Sequence, residues 1–217
     1  MVGRDKWLDC QTKNADKWKE DKHTHIQFHN TRLLGTVISD DLKWNLNTAS
    51  IVKKANARLE LLRKVSSFGT PIEDLKSVYV LFIRSLLEQS ATVWHSSLSQ
   101  ENIQDLERIQ KSACRIMLQE KYNGYKNALN KLDLLTLNER RENLCLNFAL
   151  KCTKNAKTKD MFPRNKKQHG MMTRNEESFQ VQFANTDRLQ KSPVIYMQKL
   201  LNEYEISKLE NSWKLHI

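Results

Sequence analysis

With 36 Lys and Arg against 25 Asp and Glu, the 217-residue chain carries a formal net charge of +11, a balance that suits a polyanionic partner, nucleic acid before membrane. Hydrophobic residues make up 39% and mean hydropathy is −0.67; no run approaches the ~18 apolar residues of a membrane span, which excludes a bilayer-crossing helix and leaves one soluble domain with a polar tail. Only 5 Gly and 3 Pro among many Leu, Lys, Glu and Asn predict a mainly α fold.

Residues 1–23, "MVGRDKWLDCQTKNADKWKEDKH", are polar apart from scattered side chains such as Trp7 and Trp18, and predict a weakly ordered segment. They lack the apolar core of a signal peptide, so the expectation is a soluble intracellular protein, with nucleus and cytoplasm not distinguished. Cys10, Cys114, Cys145 and Cys152 form no CxxC pair; the last three fall on apolar helix faces, where a thiol acts as a small hydrophobe. No disulfides and a reducing compartment are expected.

Residues 24–42 are the strand-like stretch. Ile26 and Phe28 alternate with polar neighbours, His29-Asn30 can turn, and Leu33-Leu34 with Val37-Ile38 can form the return strand. His23, His25 and His29 lack a fourth ligand at zinc spacing and are read as solvated. Asp40-Asp41 invites comparison with the Asp-Asp pair of two-metal polymerases, which need a third carboxylate from an earlier strand. Asp5, Asp9, Asp16 and Asp21 lie in polar, unstranded surroundings, so the pair is read as a turn leading into a helix. Neither a catalytic residue, a metal site nor a cofactor is predicted, and no P-loop, GxGxxG, HExxH or GxSxG is present.

Residues 43–155 predict a helical bundle. The first helix spans 47–67, with Ile51, Val52, Ala55, Leu59 and Leu62 on one face and Lys53, Lys54 and Lys64 pointing the other way. "TPIE" opens the second, with Thr70 as N-cap, Pro71 at the first helical position and Glu73 completing a capping box. Leu75, Val78, Tyr79, Phe82 and Leu86, widened by Val80, Leu81, Ile83 and Leu87, predict the most buried helix, running to "ATVWHSS". His95 after Trp94 reads as packing. A third helix begins behind Ser99, with Ile103, Leu106, Ile109, Ala113, Ile116 and Met117 inward. Its Arg108, Lys111 and Arg115 form a basic stripe about 10 Å long at ~1.5 Å rise per residue. That stripe suits a phosphate backbone, or equally a solvated face paired with Asp105 and Glu107. "TLNE", with Thr136 and Glu139, is a second capping box for a helix carrying Leu137, Leu144, Cys145, Phe148 and Cys152. Residues 156–217 read as an irregular basic connector or tail with a short helix near 193–204.

The run "LLGTVISDDLKWNLNTASIVKKANARLELLRKVSSFGTPIEDLKSVYVLFIRSLLEQSATVWHSSLSQENIQDLERIQKSACRIM", with the later blocks "LDLLTLNERRENLCLNFALKC", "MFP" and "QFANTDRL", resembles the segment after the palm in reverse transcriptases of non-LTR, LINE-type (jockey-like) retrotransposons. The resemblance covers Ile26 to Glu203 as an ordered series of blocks. It implies that Leu33, Leu34 and Gly35 stand at the primer grip, where glycine lets backbone approach a strand closely. It also implies that the helices are a thumb holding the template–primer duplex. Charge geometry, rather than the resemblance, makes Lys53, Lys54, Lys64, Arg108, Lys111 and Arg115 the candidate phosphate contacts. Thr36-Val37 depart from the usual "LLGV", and Gln89 and Thr92 stand where the family has Tyr and Pro. The implied protein is a truncated remnant of an RNA-directed DNA polymerase, starting at an internal Met, without catalytic palm and so without activity as it stands. Its partner would be an RNA–DNA or DNA duplex backbone, with no membrane and no small-molecule substrate. A stand-alone basic nucleic-acid-binding module and a helical protein–protein adaptor are the alternatives.

Overall fold

The computed structural model describes residues 30–165 and 178–214, with side chains to residue 207. The expected weak N-terminal segment, the first strand with Ile26 and Phe28, the three histidines and Cys10 lie outside the described residues. Two antiparallel strands, β1 (Asn30–Leu33) and β2 (Thr36–Ser39), open the described chain. Helices α1 (Asn45–Ser67), α2 (Ile72–Val78), α3 (Ser85–Glu88), α4 (Ala91–Trp94), α5 (Gln100–Leu118), α6 (Tyr125–Leu132), α7 (Leu137–Lys154), α8 (Asp187–Gln190) and α9 (Pro193–Lys214) follow, with a π-helical turn at Tyr79–Arg84 between α2 and α3. The protein is a mainly α bundle with a small hairpin at its N-terminal side.

The first core lies between α1, α2 with its π turn, and α5. On α1, Ile51, Ala55, Leu59, Leu62 and Ser66 recur at helical spacing and are buried. They pack on Leu106, Ile109, Ala113, Cys114 and Met117 of α5. Each fully buried leucine removes enough apolar surface from water to stabilise by roughly 1.5–3 kcal/mol. Ser99 caps α5 by accepting from the Asn102 amide at 3.2 Å, and the predicted capping box on α7 is complete, Thr136 and Glu139 each binding the other's backbone N–H.

The capping box expected at Thr70 does not form. Pro71, extended at ψ 149°, is the N-cap of α2, and the Thr70 hydroxyl instead donates to the Val65 carbonyl at 2.7 Å, closing the end of α1. The second helix is also less buried than its composition predicts. Leu75, Tyr79, Ile83, Leu86 and Leu87 are inside, but Leu81 is 67% and Phe82 53% exposed, because neighbours cover only one side of this segment. It ends at Glu88, and Ser90 in the left-handed region (φ 54°) separates it from α4.

The connector keeps irregular backbone over much of its length, yet it is packed rather than loose. Phe162 and Phe179 enter a second core with Cys145, Ala149 and Cys152 of α7 and Met197, Leu200 and Leu201 of α9. Amide side chains one turn apart on α9 satisfy its backbone. Asn202 accepts from Phe179 N at 2.7 Å and donates to Phe179 O at 3.0 Å, while Gln198 accepts from Gln182 N at 3.1 Å and donates to Met161 O at 2.9 Å. The last helix therefore continues past the 193–204 that the sequence predicts, to Lys214.

A buried polar contact joins the two cores. Arg141 of α7, fully buried, lies over the Trp94 ring at 5.8 Å and donates through Nε to His95 Nδ1 at 3.4 Å. His95 meets Tyr196 of α9 edge-on at 5.7 Å. Burial and the adjacent guanidinium push the His95 pKa down to about 4.

Candidate nucleic-acid interface

The hairpin turn falls at Leu34-Gly35, since Leu33 pairs with Thr36 and Asn30 with Ser39. Alternation along the sequence predicts the turn at His29-Asn30 instead, with Leu33-Leu34 in the return strand. The register is decided by the two residues that adopt positive φ, Leu34 at 48° and Gly35 at 85°. A two-residue loop with both φ positive matches the twist of the flanking strands. Glycine takes this conformation freely, whereas a leucine there costs about 1–2 kcal/mol. Leu34 recovers none of that by burial, being 87% exposed. Leu34 is thus exposed and conformationally strained, as is Leu42 (φ 50°) at the turn below the hairpin.

Contacts with the bundle hold the tip in position. Val37 N donates to Asn47 Oδ1 at 3.0 Å, anchoring β2 on the first turn of α1. Gln89 Nε2 donates to the Leu34 carbonyl at 3.2 Å. A side chain at residue 35 would put its Cβ 2.6 Å from that nitrogen and displace the Gln89 amide, while the φ of 85° is what favours glycine there.

Below the hairpin, Asp40 and Asp41 form a turn. Asp41 N donates to Asp40 Oδ1 at 2.8 Å. Asp41 Oδ1 accepts from the Ser39 hydroxyl at 2.6 Å and from Lys43 N at 3.0 Å, and these donors hold the Asp41 carboxyl below its usual pKa. Among the described residues no three His, Cys, Asp or Glu side chains converge on a point that could hold a metal ion.

The candidate cations are all exposed, but they do not form one ridge. On α1, Lys53 and Lys64 lie about three turns apart, on the side opposite Ala55, Leu59 and Leu62. Lys54 sits one turn before Arg58 on the flank, and Arg58 Nη1 donates to the Phe82 carbonyl. That brings Arg58 beside exposed Phe82. On α5, Arg108, Lys111 and Arg115 share the outward face. Because α1 and α5 pack core face to core face, the two groups look outward on different sides of the bundle. Arg108 is paired with Asp105 at 2.5 Å, and the Arg115 guanidinium lies 5.4 Å from the centre of the Tyr122 ring. Glu107, the other acid expected to pair with the stripe, turns inward, where it accepts from the Tyr125 hydroxyl and from Leu137 N at 3.2 Å.

Three residues matter here that the sequence does not single out as site residues. Gln89 and Arg58 meet their partners only through tertiary contacts, and no periodicity marks either. Phe82 belongs to the core face on periodicity alone. Compared with family models, with curated proteins and with solved structures, the chain matches none. Among the described residues, no helix is long and apolar enough to cross a membrane.

Proposed function

We propose that this chain is a duplex-holding module of a LINE-type retroelement reverse transcriptase, comprising primer-grip hairpin, thumb bundle and connector, with no polymerase activity by itself. The observation that carries the reading is the hairpin tip, where a strained, exposed Leu34 and a positive-φ Gly35 are anchored to the bundle through Gln89 and Asn47. Strain of this kind persists where surrounding structure over-determines it and function uses it. The basic faces supply the second part of the reading. Lys53, Lys54, Lys64, Arg108, Lys111 and Arg115 offer phosphate contacts, which position a protein on a duplex without reading its sequence. Binding through phosphates is expected to be strongly salt-dependent and indifferent to sequence.

The test is a titration of RNA–DNA and DNA duplexes over a salt series. Arg108→Glu with Arg115→Glu should flatten the log–log salt slope by about two, roughly 0.9 for each phosphate that is no longer neutralised. Unchanged affinity and slope would make the stripe a solvated helix face. Primer extension with magnesium or manganese should give no product, and templated synthesis would refute the inactive assignment. The exposed Leu81 and Phe82 favour a second reading, a protein–protein adaptor, which sedimentation without nucleic acid would reveal as self-association or partner capture.

A further inference from the structure

The run Glu88-Gln89-Ser90-Ala91 interrupts what would otherwise be one helix. Gln89 leaves the helical region at ψ 121° and Ser90 enters the left-handed region at φ 54°. A serine in that conformation is strained, and nothing in helix packing alone requires the break. Its effect is to turn Gln89 out of the helix toward the hairpin. The Gln89 carbonyl is fixed from within, accepting from the indole N–H of fully buried Trp94 at 2.9 Å. Its side chain then spans to the Leu34 carbonyl at 3.2 Å, and its amide nitrogen lies 2.6 Å from where a Cβ at residue 35 would stand, so a side chain there would displace the amide from this position. One residue thus joins a fully buried aromatic of the bundle to an exposed strained turn.

We propose that Gln89 is the positioning residue of the hairpin tip, holding Leu34 and Gly35 in their left-handed conformations by donating to the Leu34 carbonyl. Gln89 itself touches no nucleic acid in this scheme. The inference rests on the duplex-holding reading only for its consequence in binding; the positioning of the tip is measurable without any ligand.

Backbone ¹⁵N relaxation at Leu34 and Gly35 is the direct readout. In the unaltered chain both amides should show order parameters near the rigid value of about 0.85, and Gln89→Met, equal in length but without a donor, should lower them toward about 0.6. Gln89→Lys restores a donor of sufficient reach and should restore rigidity, an ordering that a merely space-filling role would reverse. Duplex affinity should weaken about two- to tenfold in Gln89→Met, the range expected for one net hydrogen bond. A tip as rigid in Gln89→Met as in the unaltered chain overturns the inference, whatever the duplex does. An unaltered chain that binds no duplex overturns the gripping role, while the relaxation comparison still decides the positioning role.

Discussion

Acidification should destabilise the protein through His95. The ring accepts at Nδ1 from Arg141 Nε, so its hydrogen sits on Nε2 and the imidazole is neutral. Protonation would point a new N–H at a guanidinium inside the protein. The folded pKa is about 4 against an ordinary value of 6.5. Between those values the unfolded chain binds the extra proton and the folded chain does not, so stability rises with pH across the window. The contribution is complete above an ordinary histidine pKa and disappears as pH falls toward the folded value. Near pH 5 the loss relative to about pH 8 amounts to roughly 2 kcal/mol, about 4–8 °C in Tm for a chain of this size. Urea unfolding of the unaltered chain and of His95→Gln, measured across this range, isolates the effect. Glutamine keeps an acceptor for Arg141 and does not titrate, and other groups such as Asp41 cancel in the difference. The stability of the unaltered chain relative to His95→Gln should fall by roughly 2 kcal/mol from about pH 8 to about pH 5. Parallel curves would mean that the buried imidazole is not the proton-linked group.

Three further outcomes follow from packing and caps. Thr136→Ala removes the hydroxyl that accepts from Glu139 N and should cost about 1 kcal/mol in urea unfolding. Leu62→Ala, at a site with no exposed surface in the first core, should cost roughly 2–5 kcal/mol, the spread depending on how far the cavity collapses. Leu34→Gly should leave stability unchanged or raise it by up to about 1 kcal/mol, since it relieves a left-handed leucine that buries nothing. The same variant should weaken duplex binding, and equal affinity would remove Leu34 from the interface.

The two cores differ in how far the sequence alone reveals them. The first follows directly from helical spacing on α1 and α5, because Ile51, Ala55, Leu59 and Leu62 fall on one face whatever they meet. The second does not: Phe162 and Phe179 stand in a charged, aperiodic connector, whose backbone is satisfied by the amides of Gln198 and Asn202 and by bonds such as Gln180 N to Pro163 O at 2.7 Å. Arg141 is invisible in the sequence as a core residue because charge argues for the surface; in the structure it lies over Trp94 and donates to His95, and burial lowers its pKa against the opposing field of Glu107 and Glu88.

Local chemistry in the sequence determined the helices, the caps at Ser99 and Thr136, the turn-forming role of Asp40-Asp41 and the strand-forming character of the stretch within 24–42, because each depends on residues within a few positions of one another. The tertiary structure decided the rest. Gln89 and Leu34 are 55 residues apart in sequence, so neither the exact turn nor its anchor could be read from a local pattern. Likewise, the phase of each helix marks which lysines and arginines face outward, but only the packing of α1 on α5 turns them to different sides. Periodicity records how a segment meets its own neighbours along the chain; which distant groups it meets is settled when the cores close.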